Sequence, residues 1–430
     1  MREQLPEQPP QHLPSTCHLR ARDGWNALQS ILHRPGSPLM GLLALHRAFA
    51  QDEFELQAFG LRMRVAAGPA SVKRVLYEQA DRYASRLEGD PVTALFGQGL
   101  LVMDGERHAA VKDVIVQSSR RNELEERLRA ALPALDEALH RALRRGALPL
   151  PDAPRRMTWR ALEAVYFDHD LTAEEERTYL RDLTDLVHHI GPGLWLLHGR
   201  APKLPAASDR MRRRLAVLYQ RALTSAGGAP IHALARACGR EEMPFAVDQL
   251  MTLLVAGHDT ATSLLCSLVI LLAHRPELQD ALREEIEGLA GRTQPDIRAL
   301  DALPLLDAVV REALRLYPPI HSGLRAELGS GHRVMVSYFL LHRHQGIWPE
   351  ADTFNPDRWQ RGVTPGAYAY LPFGAGPRYC PGATFARLEV KWLLARLLQR
   401  ASLHPVSRPP RIAMRAALEH RPTVIAVRHR

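Results

Sequence analysis

The segment Phe373-Gly374-Ala375-Gly376-Pro377-Arg378-Tyr379-Cys380-Pro381-Gly382 decides how this chain is read. Its three glycines can take positive φ and allow close backbone approach, so several amide hydrogens can turn toward one sulfur, that of Cys380. A helix is expected to resume at about 382–399. The partial positive charge at its N-terminus favours the thiolate over the thiol. A lone cysteine in a turn is most often buried and inert. The ten-residue spacing F-G-x-G-x-R-x-C-x-G argues instead for a sulfur presented as a ligand.

Around this loop, 345–380 reads as a long irregular segment, 334–341 as a strand and 411–428 as a terminal hairpin. Toward the N-terminus, 54–65 reads as a hairpin about Gly60, with Leu61, Met63 and Val65 alternating. A short helix is expected over 70–76. Residues 83–103 are loop-like, with Gly89, Pro91, Gly97 and Gly99 spaced through apolar residues. From 105 to about 290 the period is helical. The span 122–145 is amphipathic, and 172–189 opens on the acidic turn Ala173-Glu174-Glu175-Glu176. Pro192, Pro202 and Pro205 break a loop-rich stretch. Pro244 then opens a long apolar helix that ends near Pro276. Further helices are expected over 276–289 and 305–317, the second stopped by Pro318-Pro319. No repeat and no linker separates two cores. The layout predicts a mainly α fold with a minor β region, a proline-rich arm over 1–33 and a single domain over 34–430.

Composition bounds the function. At 430 residues, 46% hydrophobic and 24% charged, the chain can bury a large core, which excludes disordered, collagen-like and disulfide-framework classes. Cys17, Cys238, Cys266 and Cys380 are scattered without a C-x-x-C, which excludes zinc ribbons and fits a reducing cytosol. The net charge of +9 rests on 52 arginines and only 4 lysines, a bias that reads as GC-rich codon usage and hence a bacterial source. The bases are interleaved with 47 acidic residues, so no nucleic-acid partner is expected; a local basic face for an acidic protein partner fits. Residues 1–20 hold no apolar stretch for a leader or anchor. The apolar run 250–273 contains Asp259, which at a bilayer centre would cost about 2.5–3.5 kcal/mol or more. A soluble, cytoplasmic protein without a membrane anchor is expected.

Within that run stands Ala256-Gly257-His258-Asp259-Thr260. A hydroxyl beside a carboxylate in an apolar helix is costly to bury without a purpose. Gly257 gives up about 1 kcal/mol of helix propensity and permits a bulge where a small ligand could lie. The plainer reading is a Thr bonded back to a helix carbonyl beside a salt-bridged Asp.

Taken together, these segments resemble the cytochrome P450 superfamily of haem-thiolate monooxygenases, over residues 54–430. The resemblance implies a triangular helical prism with a long central helix over haem b (iron protoporphyrin IX), in a catalytic domain over 34–430. It makes Cys380 the iron ligand, with Phe373, Gly374 and Gly382 framing the loop and Ala256 and Gly257 bordering the cofactor. Thr260 would hydrogen-bond the activated dioxygen and Asp259 would help deliver protons. Where the family often has a second Thr, this chain has Ala261. Glu312-Ala313-Leu314-Arg315 alone is a common i, i+3 pair. With Phe354-Asn355-Pro356-Asp357-Arg358 it implies a buried network of Glu312, Arg315 and Arg358 bracing the loop. Arg378, Arg325, His108 and Lys112 would hold the haem carboxylates, although a solvated face also explains the last two. Lys112 stands for the more usual Arg, keeping the charge and losing the bidentate fork.

Leu95, Phe96, Leu101, Val102, Val255 and Ile320 are the candidate lining of an apolar pocket, and each fits ordinary core equally well. The activity implied is hydroxylation or epoxidation of a hydrophobic small molecule of the terpenoid, fatty acid, steroid, carotenoid or polyketide class. Dioxygen would be the co-substrate, and electrons would come from NAD(P)H through a ferredoxin or flavodoxin with its reductase. A peroxygenase or rearrangement enzyme, or a haem-binding protein without catalysis, is the alternative.

Overall fold

The computed structural model describes residues 38–58, 61–87, 89–169, 172–191, 203–290, 295–362, 365–406 and 409–429. The expected arm over 1–33 lies outside them, as do Gly60, Pro192 and Pro202.

The N-terminal half carries helices α1 (Pro38–Phe49), α2 (Pro69–Lys73), α3 (Pro91–Phe96), α4 (Gly105–Ser118), α5 (Arg121–Leu143), α6 (Asp152–Leu162), α7 (Ala173–Ile190), α8 (Ala206–Thr224) and α9 (Pro230–Cys238). After these come α10 (Met243–Ala273), α11 (Pro276–Ala290), α12 (Ile297–Asp301), α13 (Pro304–Leu316), α14 (Tyr338–Leu341), α15 (Asp357–Gln360) and α16 (Ala383–Arg400). Local chemistry explains them. On α5 a stripe of Leu124, Leu128, Leu132, Leu135, Leu139 and Leu143 is buried at three- and four-residue spacing. A capping box closes the start of α7: the Glu175 amide donates to the Thr172 hydroxyl and the Thr172 amide to the Glu175 carboxylate. Pro304 opens α13 in its first turn.

Among the described residues, α10 is the one helix long and apolar enough to cross a membrane. It is buried nearly all round, packed by α6, α8, α13 and α16. A helix apolar on every side is what the centre of a large core requires.

Strands β1 (Glu53–Ala58), β2 (Leu61–Ala66), β3 (Tyr83–Ala84), β5 (Gly323–Glu327) and β6 (Arg333–Val336) form one sheet in the order β1-β2-β6-β5-β3, with β4 being Ala147–Leu150. The β1–β2 hairpin pairs Phe54 with Val65, and β2 runs parallel to β6 with Val65 opposite Met335. A second sheet has the order β4-β10-β7, where β7 is Ala401–Pro405 and β10 is Thr423–His429; β8 (Ile412–Met414) and β9 (Leu418–His420) make the third.

Three expectations are corrected. The strand expected over 334–341 stops at Val336, because the Ser337 hydroxyl accepts from the Leu340 amide and starts α14. A continuous apolar run has no period to separate the two. The terminal hairpin closes at His420, and β10 leaves it to pair with β4 and β7. The loop-like 83–103 contains β3 and α3, the latter opened by Pro91.

Candidate active site

The cysteine loop is folded by its glycines. Gly374 and Gly376 sit at φ of 73° and 66°. A Cβ on Gly376 would stand 2.2 Å from the Leu76 carbonyl oxygen, so only glycine passes there. Inside the loop, the amides of Gly374, Tyr379 and Cys380 donate to the carbonyls of Leu371, Gly376 and Phe373 at 3.1, 3.0 and 3.0 Å. These three amides are committed to closing the turn, while the Gly382 amide is turned to the sulfur, so the expected gathering of donors is met in part. Burial pushes the Cys380 thiol up, against the Gly382 amide and the charges of Lys112 and Arg387. A coordinated metal ion removes such a proton outright.

Beneath the loop lies the ion network. Glu312 and Arg315 are both 0% exposed. Arg315 donates to both Glu312 oxygens at 2.8 and 3.0 Å, Arg358 Nε donates at 3.0 Å, and Trp359 Nε1 and the Asn355 amide each donate at 2.9 Å. Burial alone would raise the Glu312 carboxyl; the Arg315 hydrogen bond and charge, with Asn355 and Arg358, hold it below its ordinary value. Arg315 also donates to the His342 carbonyl at 2.8 Å, and His342 Nε2 accepts from the Leu371 amide at 2.9 Å. The network thus reaches the loop through His342, which no motif marks in the sequence.

Above the loop, cations crowd together. Arg378 ties the loop to the carbonyls of Met103, Leu100 and Leu101 at 2.6, 3.1 and 2.7 Å. Lys112 Nζ donates to the Pro377 carbonyl at 2.7 Å, and Arg325 to the Leu324 carbonyl at 2.8 Å. Burial, then the charges of Arg378 and Lys112, push His108 down to about 4. Arg86 joins them. Its pKa is pushed down to about 10 by burial and by Arg325, with Arg378 and Arg333 adding and Asp90 opposing, and its Nε is buried without a partner. Sequence reasoning missed Arg86, which lies in a segment without period or motif. Mutually repelling cations with a buried donor left over form the donor set for a group carrying two carboxylates. Haem fits that set.

On α10, Ala256 is exposed and Gly257 and Thr260 are half-buried, an open face on an otherwise buried helix. Thr260 Oγ1 donates to the Ala256 carbonyl at 2.8 Å. Asp259 is 6% exposed, and its Oδ2 is without a partner. Burial, then the charge of Glu419, pushes its carboxyl up to about 7 against Arg155. Of the pocket candidates, Leu95 and Phe96 pack into the core at 0% and 1% exposure; Val102 and Val255 are buried, and Leu101 and Ile320 are exposed.

The cytochrome P450 family model matches residues 245–426. Cytochrome P450 3A19 of Capra hircus aegagrus is 34% identical over 177 residues, covering 37% of this chain and 79% of that sequence. The chain belongs to the cytochrome P450 family. This P450 is also 38% identical over 162 residues to the 11-oxo-beta-amyrin 30-oxidase of Glycyrrhiza uralensis, covering 34% of this chain and 31% of that one. The match spans about a third of the length of such curated relatives. Protein LUTEIN DEFICIENT 5, chloroplastic, of Arabidopsis thaliana is 25% identical over 403 residues, 81% of this chain and 67% of that one. The crystal structure of the cytochrome P450DA heme domain superposes with a TM-score of 0.81 at 22% identity, over 94% of this P450 and 95% of that chain, which establishes the fold.

Proposed function

We propose that this P450 is a monooxygenase inserting one oxygen atom into a C–H or C=C of an apolar small molecule, with NAD(P)H electrons arriving through a separate ferredoxin or flavodoxin system. The observation that carries this reading is Asp259, a buried acid with an unpartnered oxygen, beside the half-buried Thr260 on the open face of α10. Cys380 would hold the haem iron, and Arg86, His108, Lys112, Arg325 and Arg378 its carboxylates. When bound, haem supplies the redox centre at which dioxygen is reduced. Because the Thr260 hydrogen is given to Ala256, Oγ1 offers lone pairs and orients a proton donor at that atom. Asp259, pushed up to about 7, holds a proton near neutrality and can release it in turnover. The oxidase of Glycyrrhiza uralensis, named for 11-oxo-beta-amyrin, supports a terpenoid among the substrate classes; the soluble, cytoplasmic setting remains part of this proposal.

The test is product formed per NAD(P)H oxidised, with peroxide measured in parallel. Thr260→Ala should keep haem content and substrate binding while more NAD(P)H emerges as peroxide, and added peroxide should partly bypass the defect. Unchanged coupling would reduce Thr260 to helix packing and remove the reading.

A further inference from the structure

We infer that Glu419, on β9 of the C-terminal hairpin, is a positioning residue for proton transfer to Asp259, with which it shares one water-sized pocket behind α10. The inference rests on the monooxygenase reading above and names the side from which protons arrive.

The pocket has a volume of about 10 Å³ and is lined by Arg155, Asp259, Cys266, Glu419 and His420 among others. That is about the size at which a polar cavity holds one water. Arg155 Nη2 lies 3.4 Å from Glu419 Oε1, and the two side chains are 14% and 20% exposed. Glu419 therefore reaches solvent from a pocket whose other carboxylate, Asp259, does not. The hairpin is pinned in place: the Ser263 hydroxyl donates to the Leu418 carbonyl, and Ser267 bonds His420 Nε2 at 2.9 Å. These α10 contacts on both sides of Glu419 fix where its carboxylate sits.

The groups facing Asp259 are few. From α6 comes Arg155; from β9, Glu419 and His420; from α10 itself, Cys266. Burial pushes His420 down to about 4 and the Cys266 thiol up, so both are neutral across the working range. Glu419 is left as the second carboxylate on the pocket, at its solvent side. In the transfer, an O–H bond forms on Asp259 and one breaks on the pocket water, which regains its proton from a solvent water that the Glu419 carboxylate orients at the pocket mouth. No electrons move.

The experiment uses the haem-loaded ferric protein and follows the carboxylic C=O infrared band against pH. The wild-type band should titrate near pH 7 and vanish in Asp259→Asn. In Glu419→Gln it should move to lower pH, because a repelling charge is gone; in Arg155→Met it should move to higher pH. Turnover of Glu419→Gln should fall about tenfold with a larger solvent deuterium isotope effect, short of the 10²–10⁴-fold typical of losing the acid itself. Glu419→Asp, which keeps the charge, should restore both. An unmoved band and wild-type turnover in Glu419→Gln, beside a slow Asp259→Asn, would overturn the inference alone. Wild-type turnover in Asp259→Asn would instead sink the reading beneath it.

Discussion

Glu312 and Asp259 are both buried carboxylates on buried helices, one below the cysteine loop and one on α10. Glu312 accepts from Arg315, Arg358, Trp359 and the Asn355 amide and is held below its ordinary value against the pull of burial. Asp259 keeps an oxygen without a partner and is pushed up to about 7. The fold could have satisfied both in the same way, since Arg155 is near each of Asp259 and Glu419, yet it is Glu419 that Arg155 pairs. A buried charge with all its donors makes a brace; a buried acid with few donors keeps its proton to higher pH.

The sharpest way to break this contrast is Arg315→Leu. It leaves Glu312 charged and buried with its main partner gone, which typically costs about 3–5 kcal/mol. The expected outcome is mostly haem-free or aggregated protein, read by haem content and Tm. Normal loading would show that the brace is not needed to hold the haem. Next comes pH dependence, where the two carboxylates should run in opposite directions. The folded state holds the Asp259 proton above the ordinary value of 3.8, up to about 7, so it binds more protons than the unfolded chain over that window. Wild-type stability is therefore present in full at the acid end and falls as pH rises from about 4 to 7, by roughly 3–4 kcal/mol at most. Asp259→Asn should lose that slope in denaturation curves taken from pH 4 to 8. Glu312, held below 4.5, contributes stability above that value and loses it as pH falls through its lower folded value, a slope that Glu312→Gln removes. The smallest effect belongs to Lys112→Ala, which removes the contact to the Pro377 carbonyl at a partly exposed edge of the loop. A loss of about 1 kcal/mol in Tm-derived stability would show that the loop is held chiefly from below.

The features legible in the sequence were those with local causes. The boundaries of α10 follow from Pro244 and the apolar run, α7 from its Thr172 box, and the β1–β2 hairpin from alternation at Met63 and Val65. The cysteine loop was legible as a motif, but three of its amides proved committed to its own carbonyls, which spacing does not reveal. Strand β10 was misplaced because alternation identifies a strand and says nothing about which neighbour it joins.

By itself, the sequence determined the helical framework, the glycine-rich turn that carries Cys380 and the placing of Asp259 and Thr260 within one long apolar helix, because period, caps and glycine φ act within a few residues. Only the tertiary structure decided that Arg86 joins the cations above the loop, that His342 links the brace to Leu371, and that Glu419 stands beside Asp259. Each joins groups from segments far apart in the chain, Glu419 lying 160 residues from Asp259. Charge, burial and hydrogen bonding act through space, so their outcome exists only once the helices have packed.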